Sequence, residues 1–358
     1  MRIEKRSMIS PAALALAPLG AIAFTLLVSA LLVVWAGAPV GRTYALLFQG
    51  GFGSVFALTE TLTRAIPLML TGLAATVAFR ARLYNIGAEG QLYAGALAAV
   101  AVGGSGSDLP APWLFTLMLL AAIGAGALLL LGPALLKARL NVDEVVTTLL
   151  LNFVMLLFVS LMLDGPMKDP AAMGWPQSVA LAGELELSRL VPQTRLHSGL
   201  LVAAGLALAL WAFLKFSVAG FDIRAVGANA RAAAFAGVPV TRTVLLVALL
   251  SGGLAGLAGA IEVAGRTGYV TLDMSPGYGY TGIVIAMLAA LHPLSVVAAA
   301  VFVAGVLVGA DSMSRAVGVP TYIADVIVAA SLISVLVATW ATQYRVAWRA
   351  GPVAAVSR

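Results

Sequence analysis

The sequence has 358 residues, of which 61% are hydrophobic and 10% are charged. An average soluble domain carries roughly 25% charged residues, so this composition excludes an ordinary water-soluble protein and fits a membrane. Cysteine is absent and the two histidines are far apart, so we expect no disulfide, no metal site and no cofactor. The net charge of +6 comes from basic residues scattered between apolar stretches, which argues against a nucleic-acid partner and for orientation in a bilayer.

The N-terminus joins three basic residues to a long apolar run, as a secretory signal does. The run, residues 11–36, exceeds the roughly 7–15-residue apolar core of a signal peptide and matches the roughly 20 residues that cross the hydrocarbon. We therefore expect a first spanning helix that is retained. Cleavage at the small residues 36–38 is the alternative.

Apolar runs bounded by charge, proline or glycine predict an all-α, polytopic membrane bundle of about ten transmembrane helices in one domain, residues 1–358. Only helices satisfy their own backbone hydrogen bonds in lipid when the pattern is this apolar. Segment 280–291 is too short to span alone and should enter from one side and pack within the bundle. The predicted segments are 12–36, 62–79, 88–104, 113–136, 145–163, 198–215, 243–264, 280–291, 294–310 and 321–341.

The loop charges predict that both termini are cytoplasmic. With that orientation, 14 lysines and arginines fall inside and 6 outside, which is the bias of the positive-inside rule. The long outer loop, residues 164–197, is interpreted either as a surface for an external partner or as a solvated connector. The long inner loop, residues 217–241, has a helical pattern outside the membrane and contains Asp222, Arg224 and Asn229, so we expect a docking element there.

The most polar junction between two apolar helices is residues 84–91, with sequence YNIGAEGQ. Ionisable and amide groups at membrane depth are costly and point to function. The two glycines predict a broken helix that faces a cavity, with Asn85, Glu89 and Gln91 on the substrate pathway. The alternative is an interfacial turn capped by Asn85.

A similar junction, residues 273–280 with sequence DMSPGYGY, precedes the short segment 280–291. In the predicted topology the two junctions start from opposite faces, which an inverted repeat would produce. Asn152 lies in an apolar helix and is a further pathway candidate, although a hydrogen bond between helices is the simpler role. Glu262 either lines an entrance or pairs with Arg266, four residues away. Small residues at four-residue spacing, Gly252 and Gly256 among them, predict close helix packing.

Three segments of the second half resemble the permeases of ABC importers that include branched-chain amino acid and ribose transporters. They are GFDIRAVGAN at 220–229, AAAFAGVPV at 232–240 and SGGLAGLAG at 251–259. Within that group, NIGAEGQ at 85–91 and NVDEVVTTLLLN at 141–152 are most similar to the nucleoside-type permeases. The resemblance covers roughly residues 55–340. NVDE at 141–144 replaces a commoner Val-Asn-Glu, and RLY at 82–84 a commoner Gly-Leu-Phe, and both leave the cargo open.

The resemblance implies a permease subunit in a bacterial cytoplasmic (inner) membrane that carries nucleosides or a similar small polar solute. Its implied partners are an ABC ATPase subunit, a second permease subunit in a heterodimer, an extracytoplasmic solute-binding protein and membrane lipid. The segment that matches the ATPase-docking region includes Asp222, Arg224, Gly227, Asn229 and Gly237.

The chain has no Gly-Xaa4-Gly-Lys-Ser/Thr stretch, so we expect no catalytic residues and ATP hydrolysis on a separate polypeptide. Carriage of simple sugars or branched-chain amino acids is the alternative within the family. An ion-coupled secondary transporter would share the composition and the broken helices, but it leaves the 222–238 segment unexplained. A membrane enzyme is a weaker alternative, because the chain offers no Cys, no paired histidines and no nucleophile elbow.

Overall fold

The structure is a computed structural model that describes residues 2–5, 11–104, 106, 108–318, 326, 329–330, 333–334, 337–338 and 344–347. The chain divides into two compact units, one of which is Gly51–Val308 and the other of which comprises Met1–Gly50 and Gly309–Arg358. The last predicted span, 321–341, lies largely outside the described residues.

The terminal unit contains a small antiparallel ribbon of β1 (Arg2–Lys5) and β2 (Tyr344–Ala347). Helix α1 (Pro11–Trp35) corresponds to the predicted first apolar segment, and α2 (Val40–Phe52) follows it after a bend of 116°. The sequence did not predict α2, because Arg42, Gln49 and three glycines interrupt its apolar run.

The larger unit is a helical bundle in which each predicted segment between residues 62 and 310 has a matching helix. In the described part of the chain, six helices are long and apolar enough to cross a membrane. The number is seven if the bent α1–α2 pair forms one span. The chain is therefore a multi-pass helical membrane protein. Helices α4 and α11 are shorter. The elements are α3 (Val55–Arg80), α4 (Ala88–Gly103), α5 (Ala111–Leu140), α6 (Glu144–Asp164), a 3-10 turn (Gly183–Leu185), α7 (Gly199–Phe216), α8 (Val218–Ala228), α9 (Ala230–Phe235), α10 (Val240–Glu262), a π-helical turn (Val263–Thr267), α11 (Tyr278–Leu288) and α12 (Pro293–Val317).

The core of the larger unit forms around α3 and α10, which are buried along most of their length. Helix α4 packs against α10 and α5, while α11 packs against α3. Close packing of α5 on α10 depends on glycine, as the small-residue spacing predicts. A Cβ atom on Gly126 would lie 2.2 Å from the carbonyl oxygen of Gly252, and one on Gly256 would lie 2.2 Å from that of Ala122.

The loops of the larger unit gather at two opposite ends of the bundle. At one end Leu181 donates its N–H to the Gly268 carbonyl at 2.7 Å, which joins the 165–198 loop to the 268–277 loop. At the other end Arg80 Nε donates to the Leu291 carbonyl at 2.8 Å, and α8 lies against the end of α3. We call these the long-loop end and the α8 end. The described helices of the larger unit run alternately between these two ends, and the end that faces the cytoplasm stays a prediction.

Candidate functional site

The first polar junction, residues 81–87, enters the interior of the bundle. Asn85 and Gln91 form a reciprocal amide pair, with both N–H···O distances 2.9 Å. Asn85 also donates to Ser251 Oγ at 3.0 Å and accepts the Gly87 N–H at 2.9 Å. Both amides are at most 1% exposed, so Asn85 caps the turn inside the bundle and not at an open interface.

Asn152 of α6 joins the same network. Its Oδ1 accepts the Gly90 N–H at 2.8 Å, and its Nδ2 donates to the Ile86 carbonyl at 2.8 Å and to Tyr280 Oη at 3.0 Å. One buried amide thus holds α4, α6 and α11 together. This is the interhelical role that the sequence offered as the simpler interpretation.

Glu89 connects the two polar junctions. Its Oε2 accepts the backbone N–H of Gly279 at 2.6 Å, and Glu89 is buried in the first turn of α4 while Gly279 is in the first turn of α11. A helix N-terminus carries unpaired N–H groups and a positive partial charge, so a carboxylate between two N-termini is well stabilised. The two broken helices therefore meet at their N-termini, as an inverted arrangement of the junctions predicts.

The predicted pathway residues, Asn85, Glu89, Gln91 and Asn152, are thus brought together, and each bonds to other groups of the bundle. Their place on the cargo pathway stays a prediction. Sequence reasoning missed Ser251 and Tyr280, because a lone serine or tyrosine in an apolar helix gives no distinct signal. It also missed Glu144, whose carboxylate forms an ion pair with Lys137 and accepts the Tyr84 N–H at 3.1 Å.

A polar cavity of about 380 Å³ opens at the long-loop end. Arg266 bonds the carboxylate of Glu262 at 2.6 Å, the expected pairing, and the Tyr278 hydroxyl at 3.1 Å. Arg266 also lines the cavity, so the cavity wall connects directly to the first residue of α11. The other lining residues are Trp175, Arg195, Thr267, Tyr269, Thr271, Asp273 and Met274.

The loop that forms one wall of this cavity is held to α4 as well. Tyr93 donates its hydroxyl to the Leu272 carbonyl at 2.6 Å and accepts the Ser275 N–H at 3.3 Å. Tyr93 and Glu89 are on the same helix, so α4 is bonded both to the 268–277 loop and to the first turn of α11. Movement of α4 against α11 would therefore displace the cavity wall.

The predicted docking segment forms two helices, α8 and α9, at the α8 end. Asn229 caps α9, since its Oδ1 accepts the Ala232 N–H at 3.1 Å. Gly227 permits close approach to α3, because a Cβ there would lie 1.7 Å from the Arg80 carbonyl oxygen. Gly237 has φ +88° in the turn after α9. Asp222 is half-buried and Arg224 is exposed. Each of these residues thus has a local structural role or faces outward.

The docking segment also exposes large apolar side chains. Phe235 is 96% exposed, and Val218 and Phe221 are exposed as well. Exposed apolar groups of this kind are typical of a surface that binds a protein partner, and docking at this segment stays a prediction. Sequence reasoning chose the charged residues and glycines of this segment and did not single out Phe235.

Comparison with known proteins agrees with this architecture. Residues 57–336 match a family described as "Branched-chain amino acid transport system / permease component". The guanosine ABC transporter permease protein NupP of Bacillus subtilis is 36% identical over 316 residues, which cover 88% of this chain and 90% of that protein. The glucose ABC transporter permease protein TsgB13 of Haloferax volcanii is 39% identical over 313 residues, with coverage of 85% and 82%.

A third relative is the nucleoside ABC transporter permease protein NupB of Lactococcus lactis, 31% identical over 332 residues that cover 90% of each chain. The family match and these relatives extend over the polar junctions and the α8–α9 segment together. The chain therefore belongs to the branched-chain amino acid transport system permease family and is a permease subunit of an ABC importer.

Proposed function

We propose that the chain imports nucleosides across a bacterial cytoplasmic membrane, together with a second permease subunit. ATP hydrolysis takes place on a separate ATPase subunit, and an extracytoplasmic solute-binding protein delivers the cargo. Two of the three relatives described above carry guanosine or nucleoside in their names. The observation that carries the cargo assignment is the chemistry of the cavity at the long-loop end.

This cavity suits a neutral solute that has both an aromatic face and hydrogen-bonding edges. Trp175 and Tyr269 provide aromatic walls, while Arg195 donates and Asp273 accepts hydrogen bonds. Arg266 forms an ion pair with Glu262, and Arg195 and Asp273 add one charge of each sign to the lining, so the cavity is close to neutral overall. A volume of about 380 Å³ falls within the range of roughly 300–1,000 Å³ for small-molecule sites.

The exposed apolar surface of α8 and α9 supports the coupling to an ATPase. In the proposed cycle, ATP binding draws two such segments together, and the close contact of Gly227 with the end of α3 transmits that movement to the bundle. The segment 217–241 is then cytoplasmic and the loop 164–197 extracytoplasmic. Single cysteines introduced at Arg231 or Met173 test this, because the natural chain has none. Labelling of position 231 from outside intact cells contradicts the orientation.

Uptake of labelled guanosine, adenosine and glucose by the assembled transporter tests the cargo. We expect nucleosides to compete with each other and glucose to compete poorly. Trp175→Ala should raise the KM for guanosine several-fold, whereas Met173→Ala, a fully exposed neighbour outside the cavity, should not. Saturable glucose uptake that guanosine does not inhibit would assign the chain to sugars, as in TsgB13. Uptake that persists without ATP when the ion gradients are clamped would contradict the ATP-driven cycle.

A further inference from the structure

A second cavity, of about 210 Å³, opens at the α8 end. It lies where α3, α7 and α8 meet the short connection between α11 and α12. Its volume is below the roughly 300 Å³ of the smallest typical small-molecule sites, so a group of headgroup size fits it better than a nucleoside. The lining residues are Arg80, Trp211, Leu214, Lys215, Arg224, His292 and Pro293.

The lining of this cavity is strongly cationic. Arg80, Lys215 and Arg224 are all cationic, and none of the described residues that line the cavity is acidic. Arg80 and Arg224 are close enough to repel each other. Arg80 donates from Nε to the Leu291 carbonyl, and its terminal nitrogens can still donate to an anion. Cations held together without a carboxylate favour a bound anion, and phosphate oxygens match the arginine fork.

The side of the cavity formed by α7 carries an exposed apolar surface of the kind that faces lipid. Helix α7 is apolar and mostly exposed, as expected for a spanning helix at the periphery of a bundle. Near its end, Lys215 Nζ lies 5.0 Å from the centre of the Trp211 ring and 5.2 Å from that of Phe216. Tryptophan and lysine side chains of this kind are typical of the headgroup level of a membrane. An anion in this cavity is therefore at the level of lipid phosphates.

We propose that this cavity binds the phosphodiester headgroup of an anionic phospholipid in the leaflet on the α8 end. Basic pockets between helices near the membrane surface are the usual sites for such headgroups. The bound phosphate joins Arg80 at the end of α3, Lys215 on α7 and Arg224 on α8. Anionic lipid thereby holds the docking segment against the bundle, in addition to the packing at Gly227.

The test uses the assembled transporter in nanodiscs of pure phosphatidylcholine or of phosphatidylcholine mixed with phosphatidylglycerol. Lys215→Ala/Arg224→Ala removes two of the three cations and keeps Arg80 with its contact to Leu291. Arg231→Ala is the matched control, because Arg231 is an exposed cation of α9 that does not line the cavity. Native mass spectrometry counts retained lipids, and hydrogen exchange follows α8. Thermal unfolding in phosphatidylcholine shows whether each variant is folded.

Each cation near an anionic surface contributes on the order of fivefold to affinity, so the double variant should retain phosphatidylglycerol at least about tenfold less than the wild type. The Arg231→Ala protein should match the wild type, and α8 should exchange faster only when the cavity cations or the anionic lipid are absent. Equal retention in wild type and double variant would overturn the proposal. Displacement of the lipid by inorganic phosphate, with binding of phosphate itself, would overturn the lipid assignment in favour of a free anion.

Discussion

Glu89 and Gly279 lie 190 positions apart in sequence, yet a carboxylate oxygen of the first accepts the backbone N–H of the second at 2.6 Å. Each residue belongs to the first turn of a short helix that follows a non-helical junction. Two helix N-termini that meet without an anion between them would leave N–H groups unpaired and positive partial charges facing each other. Glu89 therefore stabilises the meeting of α4 and α11, whatever it contributes to transport.

Substitution of Glu89 should reduce stability according to how much hydrogen-bond acceptor capacity the new side chain lacks. Glu89→Gln keeps a carbonyl oxygen that can accept the Gly279 N–H, so we expect a modest loss of stability and of uptake. Glu89→Leu leaves a buried donor without an acceptor, which costs about 1–3 kcal/mol, and uptake should fall severely. Thermal unfolding and uptake at matched membrane levels measure the two effects.

The same two variants separate a helix-capping role from a place on the cargo pathway. A capping role lowers the amount of active protein and leaves the KM for guanosine unchanged. A KM that rises several-fold in Glu89→Gln with unchanged unfolding temperature would place the carboxylate on the pathway, as the sequence predicts.

The close contact of α5 with α10 predicts that one glycine of α5 cannot be replaced without loss of stability. Gly126→Ala should destabilise the protein by about 1–3 kcal/mol, because the added methyl meets the backbone of Gly252, which has no side chain to move aside. Gly124→Ala, two positions away in the same helix, meets nothing within 4 Å and should be neutral or slightly stabilising. Thermal unfolding of both variants checks this, and similar losses in the two would contradict the packing argument.

The exposed apolar surface of α8 and α9 predicts a localised defect in coupling. Phe235→Ala should leave insertion and unfolding unchanged, because the ring contacts almost nothing in the chain, yet it should strongly reduce co-purification of the ATPase and uptake. Phe153→Ala, an exposed phenylalanine on spanning helix α6, is the control. Gly237→Arg is a poorer test, since the φ of +88° at Gly237 adds backbone strain. Wild-type coupling in Phe235→Ala would remove this surface from the docking site.

The larger helices could be predicted from sequence because each is a continuous apolar run whose ends are set by charge, proline or glycine. Helix α2 could not, because Arg42 and Gln49 lower its hydropathy below that of a span. The two strands of four residues also gave no signal, since short strands depend on pairing between distant segments. A local sequence pattern predicts the helix that it forms, but it says little about which distant segments pack against or pair with that element.

The polar junctions show the same limit at the candidate site. Glycine beside amides and a carboxylate at residues 85–91 identified the cluster, and the similar pattern at 273–280 indicated that the junctions correspond. The sequence did not reveal that Glu89 bonds Gly279 or that Asn152 bonds Tyr280, because these contacts depend on how three helices pack. It also gave no means to see that Arg80, Lys215 and Arg224 share one cavity.

His197, next to α7 in the long loop at residues 164–197, is a buried histidine. It is 1% exposed, its Nδ1 accepts the Gly199 N–H at 3.2 Å, and its ring lies against Gly265. Its Nε2 has no hydrogen-bond partner among the described residues. Burial in these surroundings disfavours the charged imidazolium and lowers the pKa of His197 to about 4.

This low pKa predicts a loss of stability in mild acid. The folded protein holds His197 neutral, while the unfolded chain protonates it near pH 6.5, so the unfolded state binds more protons as pH falls below that value. Between pH 8 and pH 5 the wild type should lose about 2 kcal/mol through this group, and the loss should continue to about pH 4. His197→Leu fills similar apolar space without a titrating group, so its unfolding temperature should depend much less on pH over that range. An unfolding temperature that falls equally in the two proteins from pH 8 to pH 5 would show that another group carries the acid sensitivity.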